Sequence, residues 1–291
     1  METLFDRLID FKQRAAGYPI LKKAFLKSQG YPLNLDQPTT FCEWVNFKKI
    51  KDRHPLLPIT SDKLRVRDYV HSKLGKQMAD EILIPLLHFG DNCNEIPFDS
   101  LPEEYFLKPN HASGLSILVC KEMDKQSLKS SCQKWLSKSY GQNLQEWAYR
   151  DIPRKILCEQ VLRDHRGDLP IDFKFYCIHG QVEMIGIFQK TQGKSYACYL
   201  DPSLRAVGGP MGKDIPMTQI PEIPNLEKMI PLATRLSGDF LLARIDLYSF
   251  DEKIYFGEIT HYPGSGLDRF DSYELDLHLG QKIAQAISSK P

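Results

Sequence analysis

Four polar residues near the C-terminal end of the chain are spaced so that they could meet on one face of a β-hairpin. Arg244 and Asp246 alternate with apolar residues in one run, and Glu258 and Thr260 are two residues apart in the next. Because successive side chains of a strand point to opposite faces, each pair shares a face. If residues 251–253 form a three-residue loop, antiparallel pairing places Asp246 opposite Glu258 and Arg244 opposite Thr260.

Two carboxylates that face each other across a hairpin require a proton or a cation between them. Mg²⁺ is commonly held by one or two carboxylates together with phosphate oxygens, so Asp246 and Glu258 could form a metal site. A salt-bridge cluster in which Arg244 neutralises both carboxylates explains the same residues. The hairpin alone does not decide between the two interpretations.

Two lysines occur in apolar runs where a lysine is unfavourable unless its ammonium has a partner. Lys174 lies in the middle of a predicted strand between aromatic residues. Lys108 ends another run and precedes a loop whose backbone N–H groups could turn toward phosphate oxygens. The polar and small residues of that loop are His111, Ser113, Gly114 and Ser116. Taken singly, each lysine is also compatible with a strand-edge position from which its ammonium reaches solvent.

The elements that would position these residues are helices in the first half and mostly strands in the second. Gly75 ends a predicted helix over Asp62–Leu74, and a short buried strand is predicted over Ile82–Leu87. Strands dominate from residue 155 onward, with helices at residues 225–237 and 275–287. This order predicts the α+β class, built on antiparallel sheet.

Composition excludes several classes of protein. The chain has 291 residues, of which 42% are hydrophobic and 26% charged, with a net charge of +1, as in an ordinary soluble globular protein that does not bind nucleic acid. No apolar run is long enough for a membrane span. The seven cysteines are scattered without metal-ligand spacing. We therefore expect a cytoplasmic protein with free thiols.

The order of the candidate groups is more specific than any one of them. A strand lysine before a small-residue loop is followed by Glu-x-x-Leu, a second strand lysine, Arg-x-Asp and Glu-x-Thr-x-x-Pro-Gly. This order resembles the nucleotide site of ATP-grasp proteins. Five segments narrow the resemblance to TupA-like ATP-grasp proteins of bacterial surface-polysaccharide gene clusters, from about residue 40 to the end. They are residues 41–44, 62–70, 107–114, 172–177 and 244–248.

The resemblance implies an ATP-grasp fold in which two antiparallel-sheet subdomains enclose the nucleotide. It implies a mostly helical N-terminal region over residues 1–100, with a reduced pre-ATP-grasp part. The ATP-grasp domain would then cover residues 101–291. A lid subdomain over residues 101–160 would precede a C-terminal subdomain over residues 161–291.

The resemblance also implies a role for each candidate residue. Catalysis would fall to Lys174 and to Arg244, which neutralises the transferring γ-phosphate. Nucleotide binding is implied for Lys108, His111, Ser113, Gly114, Ser116, Glu159, Leu162 and Lys174, with Glu159 and Leu162 at the adenine hinge. The metal ligands would be Asp246, Glu258 and Thr260. Thr260 replaces the usual asparagine of the family, and its weaker hydroxyl ligand leaves the number of metal ions open.

The activity implied is that of a Mg²⁺-dependent ATP-grasp ligase. It would activate a carboxylate as an acylphosphate and join an amino acid or amine to a sugar acid or amino-acid acceptor in surface polysaccharide biosynthesis. Two alternatives stay open: a phosphotransferase acting on a hydroxyl, and an inactive nucleotide-binding scaffold of a polysaccharide assembly complex. The implied partners are ATP, Mg²⁺ and a small-molecule or polysaccharide-precursor substrate, and an association with such an assembly complex is compatible with the family.

Overall fold

The computed structural model describes residues 11–191, 193–209 and 214–289. After a helical stretch at residues 11–15, the α-helices of this part are α1 (Pro19–Gln29), α2 (Phe41–Lys51), α3 (Leu56–Ser61), α4 (Val66–Leu74), α5 (Lys76–Ile82), α6 (Lys125–Ser137), α7 (Leu226–Ser237) and α8 (Tyr273–Ser288). Short 3₁₀ turns occupy Trp147–Tyr149 and Pro263–Gly266.

Eleven strands in the described residues form two separate sheets. The smaller sheet has the order β1-β4-β2-β3, with every neighbouring pair antiparallel. Its strands are β1 (Leu86–Gly90), β2 (Tyr105–Pro109), β3 (Ile117–Val119) and β4 (Ile156–Gln160). Helix α6 packs against β2, and a small core of its own forms around Leu107 and Cys132.

The larger sheet has the order β11-β10-β5-β6-β7-β8, and the short β9 joins β7 in parallel. Its strands are β5 (Asp172–Ile178), β6 (Gln181–Thr191), β7 (Lys194–Leu200), β8 (Ala206–Gly208), β9 (Ile215–Pro216), β10 (Leu242–Phe250) and β11 (Lys253–Thr260). Alternation along β5 buries Phe173 and Phe175 completely. Helix α7 contacts β5, β6 and β10, and α8 contacts β5. The polar face that carries Lys174 looks toward the smaller sheet.

The predicted α+β class on antiparallel sheet is confirmed, and two predicted element boundaries are wrong. The helix predicted from Asp62 begins at Val66, because the Asp62 carboxylate accepts hydrogen bonds from the backbone N–H groups of Leu64 and Arg65 and holds a local turn instead. The strand predicted over Ile82–Leu87 is divided. Helix α5 continues to Ile82, and pairing in β1 starts at Leu86, after a proline that has no N–H to donate.

The N-terminal helices are tied to both sheets. Helix α2 starts in a capping box formed by Thr40 and Glu43 and packs against α8 and the Pro263–Gly266 turn. Strand β1, from the region predicted as helical, pairs with β4 of the smaller sheet. The division at residue 100 stays a prediction. In the described residues, no helix is both long and apolar enough to cross a membrane.

Candidate active site

A cavity of about 780 Å³ lies between the two sheets. This volume is typical of small-molecule sites. The smaller sheet contributes Phe106, Lys108, Glu159 and Gln160, and the larger sheet contributes Asp172, Lys174, Tyr176, Phe188, Lys190, Ser195, Tyr199, Arg244 and Tyr248. The remaining walls come from loops: Ile84, Ser116, Leu162, Leu169, Pro170, Asp214, Asp268 and Arg269. One end is therefore apolar, and the floor formed by the larger sheet is strongly charged.

The β10–β11 hairpin brings together the four residues on which the metal prediction rests. Asp246 pairs with Glu258, and Arg244 pairs with Thr260, as predicted. The assumed three-residue loop is wrong, because Phe250 pairs with Lys253 and only two residues form the turn. A β-bulge at residue 257 inserts one residue and restores the expected pairing.

The bulge also changes the face that β11 presents to the cavity. Before it, Ile254 and Phe256 are buried in the core, whereas after it Ile259 takes the core position. In a regular strand Glu258 would share a face with Phe256, because two positions separate them. The bulge lies between them, so Glu258 points to the opposite face, toward the cavity. An added Cβ at Gly257 would lie 3.0 Å from the Asp246 carbonyl oxygen, so this close backbone approach favours glycine here.

Asp246 is buried at the centre of an ion cluster on the cavity floor. Arg244 donates two hydrogen bonds of 2.7 Å to its two carboxylate oxygens. The Lys174 ammonium lies 2.9 Å from Asp246 Oδ2 and 2.5 Å from Asp172 Oδ2. Burial lowers the pKa of Lys174, but the two carboxylates outweigh it and raise the pKa above its ordinary value. Both cations therefore stay charged and fixed in position.

Glu258 has its own cation, supplied by the N-terminal region. Lys63 donates a short hydrogen bond to Glu258 Oε2, while Arg244 lies 3.8 Å from Oε1 and the Thr260 hydroxyl donates to Oε1 over 3.1 Å. The Lys63 ammonium, aided by Arg244, holds the pKa of Glu258 well below its usual range. Asp172, Asp246 and Glu258 are thus balanced by Lys63, Lys174 and Arg244.

The apolar end of the cavity lies beside β4. Lys108 forms an ion pair of 2.5 Å with Glu159 there, and Leu162 follows the strand at the cavity wall. Leu169, Pro170 and other apolar side chains complete this end. Such an apolar wall suits a flat heteroaromatic ring.

The structure separates the residues of the predicted phosphate loop. Ser116 lines the cavity, whereas Ser113 and Gly114 are exposed and lie outside its lining. His111 is buried, with its Nε2 3.3 Å from the Lys138 carbonyl oxygen and its Nδ1 3.3 Å from Asn110 Oδ1. Burial lowers the pKa of His111 to about 4. This geometry suits a neutral side chain that anchors the base of the loop.

The donor set around the hairpin fits a hard divalent cation. Asp246, Glu258 and Thr260 offer only oxygen ligands, as Mg²⁺ prefers, and the buried Asp172 Oδ1 has no hydrogen-bond partner. Within the described ranges, no group of three or more His, Cys, Asp or Glu side chains forms a metal cage. The residues fit Mg²⁺ bound through two carboxylates and the oxygens of a phosphorylated ligand.

Lys63 and Asp172 belong to this cluster, although sequence reasoning gave neither of them a role. For Asp172 a signal was present, since it precedes Lys174 by two residues on the same strand face. Lys63 lies within residues 62–70, one of the segments of the family resemblance, but nothing in its spacing linked it to Glu258. Its contact with Glu258 spans 195 residues of sequence and depends on how the N-terminal helices pack.

Comparison with known proteins gives one family and a set of distant structural neighbours. The sequence model of the TupA-like ATPgrasp family matches residues 43–284. No curated protein is similar enough in sequence to count as a match.

Three solved structures illustrate the neighbours. The ATP-grasp ligase PsnB complexed with a minimal precursor is 10% identical, with 81% of this chain and 63% of that chain covered and a TM-score of 0.45. D-Alanine–D-alanine ligase from Bacillus anthracis is 14% identical, with 79% and 66% covered and a TM-score of 0.48. L-Amino acid ligase from Bacillus licheniformis is 16% identical, with 72% and 42% covered and a TM-score of 0.41. This chain spans less than two thirds of each of them.

Proposed function

Since the chain belongs to the TupA-like ATP-grasp family, we propose that it is an ATP-dependent carboxylate–amine ligase. One observation carries the proposal. Lys108, Lys174 and Arg244 line a single cavity between the two sheets, and Asp246 and Glu258 lie opposite each other on the hairpin beside it. Phosphoryl transfer depends on positioning and charge neutralisation, which these residue types supply.

In this proposal ATP occupies the cavity with its adenine at the apolar end, beside Glu159 and Leu162. The triphosphate then extends over the charged floor toward Arg244, and Lys108 turns from Glu159 to a phosphate. Arg244 sits beyond Lys174 on the sheet face and faces the γ-phosphate. Ser116, from the loop over the cavity, donates to the phosphate oxygens.

The hairpin carboxylates would hold Mg²⁺, with Thr260 as a weaker third oxygen. Mg²⁺ bound there would neutralise charge on the β- and γ-phosphates. Lys174 and Arg244 are already fixed by Asp246, so they need little reorganisation when charge develops.

The reaction that fits this site has two steps. A substrate carboxylate oxygen attacks the γ-phosphorus, the bond to ADP breaks, and an acylphosphate forms. The neutral amine then attacks the acyl carbon, the C–N bond forms, and phosphate leaves. Of the two protons lost by the ammonium, one ends on phosphate and one in solvent. The amine donor would be an amino acid or amine. The acceptor would be a sugar acid or amino acid of a surface polysaccharide precursor, consistent with a cytoplasmic location.

ADP release by the full-length protein with MgATP tests the proposal. Sugar acids such as glucuronate are paired with amino acids and amines, and each compound is also supplied alone. Release that requires both partners supports a ligase. Release with a lone hydroxyl compound replaces the ligase with a phosphotransferase acting through the same site. MgATP binding without turnover on any pair replaces it with a nucleotide-binding scaffold.

A further inference from the structure

The chain closes the end of the cavity opposite the apolar wall with residues 263–271, here called the crossing segment. This segment leaves β11 at one edge of the larger sheet and reaches β8 near the other edge. Its backbone is anchored at several points. Asn46 donates to the Gly266 carbonyl over 3.0 Å, and the Cys42 thiol donates to the Asp268 carbonyl over 3.4 Å. At the far end, the Gly209 N–H donates to Asp271 Oδ2 over 2.6 Å.

Aromatic contacts place the crossing segment next to the reacting end of the site. The Arg244 guanidinium lies 5.9 Å from the Tyr176 ring centre, and the Tyr176 and Tyr199 rings are 6.1 Å apart. Phe270 continues the row, 5.5 Å from Tyr199. A ligand that extends past Arg244, away from the apolar wall, therefore meets residues 268 and 269.

Asp268 and Arg269 are the charged side chains of the crossing segment that line the cavity. Both are exposed, and neither has an ion pair or a side-chain hydrogen bond with any described residue. Lys108, Lys174 and Arg244 differ, since each forms an ion pair with a carboxylate. Lys190 and Asp214 also line the cavity without an ion pair to any described residue, but they come from separate elements, β6 and the residue before β9. In the crossing segment, by contrast, an unpaired carboxylate and an unpaired guanidinium lie on adjacent residues.

We propose that Asp268 and Arg269 bind the amine substrate and that this substrate is an α-amino acid. Arg269 receives the α-carboxylate through a forked hydrogen-bonding geometry, and Asp268 receives the α-ammonium. A free amino acid is a zwitterion, which matches one acid next to one base. A simple amine lacks the group that Arg269 binds. The inference rests on the proposed ligase function and specifies the chemical class of its second substrate.

The Asp268 carboxylate lies against a backbone turn in the absence of any ligand. At Gly264, where φ is +52°, an added Cβ would lie 2.3 Å from Asp268 Oδ2. The carboxylate therefore rests against the Pro-Gly turn that follows Glu258 and Thr260. This turn connects the amino-acid site directly to the hairpin that would hold the metal. The anchored backbone of the crossing segment limits the freedom that is lost when a ligand binds.

Isothermal titration calorimetry on the full chain, with Mg²⁺ and a non-hydrolysable ATP analogue bound, tests the inference. The probes are the proteinogenic amino acids in L and D forms, each compared with the amine that lacks its carboxylate. The variants are Arg269→Gln and Asp268→Asn, with Arg235→Gln on the exposed side of α7 as the matched control. Binding of the ATP analogue is measured first for every variant, which also shows that each is folded.

We expect at least one amino acid to bind the wild type and Arg235→Gln equally. Each site variant should weaken that binding about tenfold or more, the effect of one charged hydrogen bond, without changing affinity for the ATP analogue. The corresponding amine should bind the wild type about tenfold more weakly than the amino acid. The inference is overturned, with the ligase proposal intact, if the ATP analogue binds but no amino acid does. Unchanged amino-acid affinity in Arg269→Gln has the same consequence. Failure of the ATP analogue to bind the wild type removes both.

Discussion

Lys63 is the residue whose removal tests the site most directly, because it connects the N-terminal helices to the hairpin. In Lys63→Met the methionine keeps most of the apolar stem and loses the ammonium that pairs with Glu258. Arg244, 3.8 Å from Oε1, and the Thr260 hydroxyl then remain as the nearest partners of Glu258.

The expected cost in folding stability lies between two limits. Removing one partner of an exposed ion pair costs about 0–1 kcal/mol, and removing one partner of a fully buried pair costs about 3–5 kcal/mol. The Lys63 and Glu258 side chains are 15% and 30% exposed, so we expect about 2 kcal/mol at neutral pH. For a chain of this size that corresponds to a fall in Tm of about 4 °C.

The cost should depend on pH in a defined direction. Lys63 holds the pKa of Glu258 below its ordinary value of 4.5. The stabilisation is therefore fully present above that value and is lost as the pH falls toward the depressed folded pKa. The difference in Tm between wild type and variant should be constant near neutral pH and shrink on acidification below about pH 4.5.

Thermal unfolding with and without MgCl₂, in the absence of nucleotide, measures both consequences. Lys63→Met should gain more stability from Mg²⁺ than the wild type does, because Glu258 no longer has a competing cation. Lys73→Met is the control, since Lys73 lies on α4, away from the cavity, and pairs with Asp239 over 2.6 Å. An unchanged Tm together with an unchanged response to Mg²⁺ would show that Lys63 does not hold Glu258 in solution.

Two further predictions concern the ion cluster around Asp246 and Glu258, and a third concerns the buried His111. The thermal shift given by MgATP should exceed the sum of the shifts given by Mg²⁺ and ATP separately, because Mg²⁺ without ATP is repelled by the charges of Lys174 and Arg244. Additive shifts would contradict this. Glu258→Gln should lower ADP formation about a hundredfold while costing about as much stability as Lys63→Met, and the double variant should cost clearly less than the sum; unimpaired turnover would remove the metal role. Burial lowers the pKa of His111 from 6.5 to about 4, so its stabilising contribution is present above pH 6.5 and lost as the pH falls from 6.5 to 4. In His111→Gln, urea midpoints should lose part of their decrease over that range, and an identical pH profile would contradict the assignment.

The pairing of Asp246 with Glu258 could be predicted because it depends on local information. Period-two alternation fixes which residues share a face, and the short connection fixes the strands as neighbours. The bulge at Gly257 could not be predicted in this way. The assumed three-residue loop added one residue at the turn instead, so it gave the right partner for Glu258 and the wrong one for Phe256.

Partners supplied by distant segments account for most of what the sequence left undetermined. The mid-strand position of Lys174 correctly indicated that its ammonium needs a counter-charge. Only the folded chain shows that Asp246 and Asp172 supply that charge. The burial of His111 depends on how residues 110 and 138 pack around it. A histidine in a polar loop gives no sign of such contacts.

The bulge at Gly257 also sets rules for insertions and deletions in this hairpin. Side-chain direction in a strand depends on whether the residue count is odd or even, and one extra residue changes that parity. Because Gly257 is itself the extra residue, deleting it would leave a regular ladder in which Asp246 still pairs with Glu258, and Glu258 and Ile259 keep their present faces. A two-residue change in the turn would also leave both faces in place. Hairpins that differ by one residue at this position can therefore share the same pairing of Asp246 with Glu258, and homologous hairpins are best aligned from Glu258 outward rather than from the turn.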